Sequence, residues 1–431
     1  MSESDIQSQP EKLSLKEIIA MGIGGMVGGG IFSVLGLAIS QAGHAAPLAF
    51  ALGGIIALLT GLSYARLGLV FQSSGGSFTF LEHAFDNKNI AIIGGWLLLI
   101  GYVGTMSLYA YTFGVYGSAM LGESGADNIM HHFLQTLIIL TFLGINLYGI
   151  KASGTSELII VTVKMIILFL FAGIGLFYIK ADHLTPVINH GYTGIIMAAA
   201  LIFVAYEGFE LIPNAINEME KPEKNLQAGI IWSIAITLLV YIMVSLVAVG
   251  NLLPDEIIKY KEYALAVAAR PFLGEAGFQL IGLAALFSTA SAINATMFGT
   301  ARLGMNMATD KALPAAFGFR RQQNNIPWLS LLAISFATLV FINLADLTII
   351  SSFASSTFLL VFSLINLSAW RLRTKLQGNS LWPLAGMILS FFSWCTLMFY
   401  LWQNDRNILL WIAIIYISII LAESVICRYR K

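Results

Sequence analysis

Three kinds of residue in this chain could do chemistry, and all of them lie inside long apolar stretches. Six of the nine residues from Gly22 to Gly30 are glycine. Lys164 stands midway along a second apolar run, and Glu207 and Glu210 flank Gly208 in a third. In hydrocarbon, backbone N–H and C=O groups must be paired, so a glycine cluster that invites unwinding is costly. It is tolerated where the freed backbone is buried in protein or lines a cavity. A charge at mid-membrane costs about 2.5–3.5 kcal/mol on insertion scales and by default marks an ion or solute path. The chemistry these residues suit is ligand binding by bare main chain and proton transfer by buried side chains.

The elements that must position them follow from composition. Of 431 residues, 58% are hydrophobic and 11% charged, against about 25% charged in a soluble domain. Runs of about 20 apolar residues predict twelve helices, near residues 16–42, 46–70, 90–121, 133–150, 155–179, 191–216, 226–250, 276–308, 326–345, 347–370, 381–402 and 407–427. The fold class expected is an all-α polytopic membrane protein. Short connections around Gly43 and Asp346 imply tight neighbours. Basic residues set the orientation: with both termini inside, sixteen Lys and Arg fall in the cytoplasm and five outside. The expected location is the cytoplasmic membrane, multi-pass. The polar start, 1–11, does not read as a cleaved signal.

The first and sixth predicted spans break in the same way, and they are five apart. Five is odd, so a second five-helix unit lies upside down relative to the first. Interrupted helices at corresponding places in an inverted repeat point to a transport site. The long loops 71–89 and 251–275 also fall at equivalent places on opposite faces. The organisation expected is a cytoplasmic tail, 1–15, a five-helix repeat, 16–179, its inverted copy, 191–370, and two added helices, 381–427. Close packing of small residues would explain Gly24 and Gly28 alone, but consecutive glycines at Gly28-Gly29-Gly30 point to different helix faces.

Unwinding near Val27 to Gly30 would leave N–H groups at a new helix N-terminus, where the positive dipole end suits a carboxylate. Carbonyls around Ile23 and Gly24, and around Phe203 and Val204, would accept from an α-ammonium. A free amino acid satisfies both sets. Tyr102 and Tyr206 are candidates to cover its side chain, and Glu207 is a further substrate-binding candidate that favours cationic ligands. Lys164 lies roughly 13–14 Å along its helix, too deep to snorkel easily. Desolvation disfavours its ammonium form, so it could gain and lose a proton as a cavity opens and closes. Glu207 and Glu210 are competing proton carriers, and each could instead cap N–H groups at the break.

Four elements in order resemble the amino acid–polyamine–organocation (APC) transporter superfamily over nearly the whole chain. They are Gly22-Ile23-Gly24-Gly25-Met26-Val27-Gly28-Gly29-Gly30-Ile31-Phe32; Ser74-Gly75-Gly76-Ser77-Phe78; Ala205-Tyr206-Glu207-Gly208-Phe209-Glu210 followed by Asn217 to Asn225; and Asn294-Ala295-Thr296 through Gly299 and Arg302 to Met307-Ala308-Thr309-Asp310 and Pro314. The chain is most similar to prokaryotic proton-coupled amino acid permeases with a lysine in the fifth span, here Lys164. The resemblance implies a five-plus-five inverted repeat with a substrate between spans one, three, six, eight and ten. It also implies that spans one, two, six and seven rock as a bundle against the rest. It places Lys164 where sodium-coupled relatives bind Na⁺, with Ser288 and Ser291 expected nearby. Glu210 matches an acidic position of the family, whereas Glu207 departs from its pattern.

The function expected is secondary active amino acid transport, proton-coupled, by alternating access; exchange or export of amino acids or amines without symport is the alternative. No cofactor is expected beyond the proton. Zero net formal charge offers no footprint for nucleic acid, and no Walker loop indicates a nucleotide. Cys395, Cys427 and the six histidines form no metal-like or disulfide spacing, and no catalytic set marks an intramembrane enzyme. A channel would call for a pore helix and filter. The partners expected are the substrate and the bilayer, with the chain a monomer or weak homodimer.

Overall fold

The computed structural model describes residues 12–73, 75–123, 128–148, 154–252, 254–320, 326–376 and 378–430. The tail 1–11, Ser74, Lys151 and Arg321, used in the sequence reading, lie outside them. Among the described residues the regular structure is helical, apart from an isolated bridge between Leu13 and Met219. Eight helical stretches among the described residues are long and apolar enough to cross a membrane. One of these, Gly30–Phe71, holds two helices joined through Gly43–Ala45. The bent pair Gly191–Leu201 and Phe203–Glu218, and the shorter apolar helices Trp328–Leu344 and Arg406–Leu421, complete the set. Counted turn by turn, these make the twelve spans expected.

Outward surfaces are apolar, as lipid requires. Phe169, Phe336, Trp402 and Trp411 are exposed. Inside, small hydroxyl residues are buried, and Ser245, Thr300 and Thr357 each return a hydrogen bond to the carbonyl four residues back. Such back-bonding satisfies a hydroxyl without water.

The first span is Leu15–Met26 followed by Gly30–Ala42, with Val27 to Gly29 unwound between them. The sixth runs as α-helix over Gly191–Leu201 and bends by 52° into Phe203–Glu218, which is 3₁₀ at Phe203–Tyr206 and again at Phe209–Glu218. That second half is also 3₁₀ rather than α, and Pro213, which lacks an N–H, lies within it. Gly208 carries the turn at φ +127°, a value that L side chains rarely adopt. Both expected breaks are therefore present.

The seventh span, Pro222–Asn251, packs on the first span and on the second, Ala46–Phe71. The third, Lys88–Met120, packs on the eighth and on the tenth, Leu347–Arg371. The eighth was expected to start near residue 276. It does so just after a break at Gly274 (φ +62°), and the stretch before that break, from Ala264, is a separate helical segment of the preceding loop. Short helices thus occupy both corresponding loops, at Gly76–Ala84 and at Pro254–Lys259.

Candidate functional site

The two breaks meet at the centre of the bundle. A Cβ added to Gly25 would lie 2.8 Å from the Gly208 Cα, and one on Gly30 would lie 2.9 Å from the Ala205 Cα. Glycine at these places allows main chain to touch main chain.

A broken helix in an apolar setting must find new partners for its carbonyls, and side chains from five spans supply them. Gly24 O accepts from the Lys164 ammonium at 3.2 Å, and Gly25 O from the Tyr109 hydroxyl at 3.1 Å. Met26 O accepts from Tyr241 at 2.6 Å, and Val27 O from Ser288 at 2.5 Å. On the sixth span, Leu201 O accepts from Ser351 and Ser355, and Ala205 O accepts from the same Tyr241 hydroxyl at 2.8 Å. Ser355 also accepts the Val204 N–H at 3.0 Å.

Each residue singled out from the sequence can now be placed. Ile23 O is taken by the Val27 N–H at 2.8 Å, and Val204 O by the Glu207 N–H at 3.1 Å. An incoming ammonium would therefore share these carbonyls with their present donors, each oxygen having a second lone pair. Gly28 and Gly29 lie under the Tyr109 ring, whose Cζ would stand 3.3 Å from a Gly28 Cβ. Gly29 supplies no capping side chain to the helix Gly30–Ala42, so its first N–H groups depend on other partners. Phe203 packs edge-on against Phe362.

Tyr102 packs on Phe358, and its hydroxyl lies beside the Glu210 carboxylate. Tyr206 turns away from the breaks: its hydroxyl donates to Phe50 O at 2.7 Å on the second span. The ring that covers the glycines belongs to Tyr109 instead.

Glu207 is buried and accepts a hydrogen bond from the Thr105 hydroxyl of the third span. Glu210 is buried as well; one carboxylate oxygen accepts the Gly208 N–H at 2.8 Å, and the Tyr102 hydroxyl lies beside the carboxylate. Ser288 donates to Val27 O of the unwound turn, and neither Ser288 nor Ser291 is hydrogen-bonded to Lys164 among the described residues.

Sequence reading missed Tyr109, Thr105, Tyr241, Ser355 and Glu157. A signal existed for two of them: Tyr102, Thr105 and Tyr109 recur at three and seven residues and so share one face of the third span. No group of three His, Cys, Asp or Glu gathers among the described residues.

Likeness to known proteins bears on this arrangement. The pattern of the amino acid permease family matches residues 13–422. An uncharacterised protein of Methanocaldococcus jannaschii is 34% identical, covering 98% of this chain and 96% of its own. The inner membrane transport protein YbaT of Escherichia coli is 29% identical, covering 93% of each. Among solved structures, a mutant form of a manganese transporter of Eremococcus coleocola superposes with TM-score 0.59 over 100% of this chain and 98% of its own, at 13% identity. That likeness is one of fold. Broken first and sixth spans, the matched family pattern and full-length relatives converge: this chain is a multi-pass membrane transporter, not an enzyme, and belongs to the amino acid permease family.

Proposed function

We propose that the protein carries a free amino acid across the cytoplasmic membrane together with a proton, by alternating access, with both termini in the cytoplasm. The substrate carboxylate is held at the N–H groups of Gly28, Gly29 and Gly30, and the ammonium by carbonyls at the breaks, Ile23 and Gly24 on one side and Phe203 and Val204 on the other. Glu207 faces the bound side chain from beside Thr105. Lys164 is the coupling group, with Glu210 a second proton carrier. Tyr109 closes over the glycines and must withdraw for substrate to enter.

The observation that carries this reading is the hydrogen bond from the Lys164 ammonium to Gly24 O at 3.2 Å. It joins the one cation of the fifth span to the break that would bind the ligand. When Lys164 is charged it holds the first half of span one; when neutral it is a weaker donor, so protonation and the position of that half-helix are linked. Support for a rocking bundle comes from the packing of the seventh span on the first and second, and of the third on the eighth and tenth.

The test is uptake of radiolabelled alanine, serine, leucine and lysine into proteoliposomes under an imposed pH gradient. Lys164→Ala is expected to abolish gradient-driven accumulation, and a pH dependence unchanged from the parent would remove Lys164 from coupling. Accumulation that ignores the gradient in the parent protein itself would favour exchange over symport.

A further inference from the structure

The fifth span carries a second ionisable group that the reading above leaves idle. Glu157 lies seven residues before Lys164, two helical turns, so both side chains project from one face. That face meets the first span at Gly24. A Cβ on Gly24 would stand 2.9 Å from Glu157 Oε1 and 3.3 Å from Val161 Cγ2, while Gly24 O already accepts from Lys164. One glycine of the first span is thus held between a carboxylate and an ammonium of the fifth.

Glu157 is half-buried and has neither a hydrogen bond nor an ion pair among the described residues. The fifth span packs on the first, seventh and eighth; among the described residues no charged group from those three acts on Glu157, and Lys164 of its own helix does. The helix begins at Gly154, so Glu157 lies one turn in and Lys164 roughly 10.5 Å deeper. With the termini inside, that start faces the cytoplasm. Glu157 then stands between Lys164 and the cytoplasmic water, with Gly24 as the partition. A first-turn carboxylate is favoured by the helix dipole alone, which is the structural role that any test must separate.

We propose that Glu157 is the proton acceptor through which Lys164 discharges to the cytoplasm, and that the first span gates this transfer at Gly24. The inference rests on Lys164 being the coupling group. In the closed arrangement the ammonium is committed to Gly24 O and the carboxylate lies across the glycine from it. When the half-helix Leu15–Met26 tilts away, Gly24 O leaves the ammonium and the partition opens. The ammonium then gives up a proton and becomes a neutral amine; the carboxylate takes it, becomes a neutral acid, and releases it to the cytoplasm. Charge is conserved at each step, and the amine is ready to be recharged from the other face. The missing side chain at Gly24 matters to this: a methyl there would push Glu157 out of line.

The experiment compares the parent with Glu157→Gln and Glu157→Asp in proteoliposomes holding a pH-sensitive dye, using the same four labelled amino acids. For Glu157→Gln we expect exchange of internal for external amino acid to stay within about twofold of the parent. Gradient-driven net uptake and dye-reported proton entry should fall by about a hundredfold, the lower range for a positioned proton-transfer group. Glu157→Asp should recover most of the coupled flux. Coupled uptake by Glu157→Gln with the parental pH profile overturns the inference while leaving Lys164 in place. Equal loss of exchange and net uptake, with a lowered melting temperature, also overturns it, since that is a structural role. A parent that moves amino acid with no proton fails at the earlier step and is recognised without any variant.

Discussion

Gly25 of the first span and Gly208 of the sixth touch main chain to main chain, each lying where a side chain on the other would have to go. The contact joins the two broken helices into one body. Tyr241 of the seventh span reinforces it, its single hydroxyl lying 2.6 Å from Met26 O and 2.8 Å from Ala205 O. Any motion that opens the site must carry spans one, six and seven together or break these contacts.

Gly208→Ala therefore meets two penalties. Its φ of +127° is strained for any L side chain, and its Cβ would stand 2.6 Å from the Gly25 carbonyl carbon. Strain of about 1–3 kcal/mol and overpacking of about 1–3 kcal/mol together predict a loss of about 2–6 kcal/mol. Thermal unfolding in detergent should show a clear fall in midpoint; an unshifted midpoint would mean that the breaks do not interlock.

Gly29→Val puts two methyl groups where the Tyr109 ring lies over the unwound turn. The ring can move but the N–H groups beneath stay covered. Saturable binding of the amino acid panel, read by scintillation proximity, should be lost while the protein still purifies as a folded species. Parental affinity in this variant would take the carboxylate site away from Gly28 to Gly30.

Glu207→Gln keeps the shape of the side chain and leaves an amide oxygen to accept from Thr105. Stability should change by less than about 1.5 kcal/mol, as for a volume-conserving swap. Competition by lysine and by simple amines should weaken about tenfold relative to alanine, the loss of one charge pair. An identical inhibitor profile would free Glu207 from any part in specificity.

Asp310, just beyond the eighth span, is held above its ordinary carboxylate value of 3.8, first by burial and then by the nearby Glu82. The folded state thus disfavours the ionised form, and stability falls as pH rises from 3.8 through the raised value. Asp310→Asn removes that penalty. Its melting temperature should exceed the parent's at neutral pH, with the gap closing once the pH drops below 3.8. A gap that persists in acid would assign the effect to something other than ionisation.

How much was legible in the sequence differs from residue to residue. The breaks were legible because hydrocarbon leaves few reasons for six glycines or two carboxylates within a span. Lys164 was legible for the same reason. Its partner was not, since nothing local couples Lys164 to Gly24. Tyr206 and Tyr109 show the difference well. Both are span tyrosines, yet a helical rotation sends the first to Phe50 O and the second to Gly25 O. Ser291 was expected beside Lys164 and is not hydrogen-bonded to it, again a matter of helix rotation.

What the sequence determined by itself was the number of spans, the places where two of them come apart and the permease family. The spans and breaks follow from a local rule, since a bilayer demands about 20 apolar residues per crossing and paired backbone throughout; the family follows from the four motifs that resemble it. Only the tertiary structure decided which side chains repair the broken carbonyls, which ring covers the glycines and that Glu157 and Lys164 share Gly24. Those depend on how far each helix is turned about its axis, and that angle is set by packing between spans, not by any pattern within one.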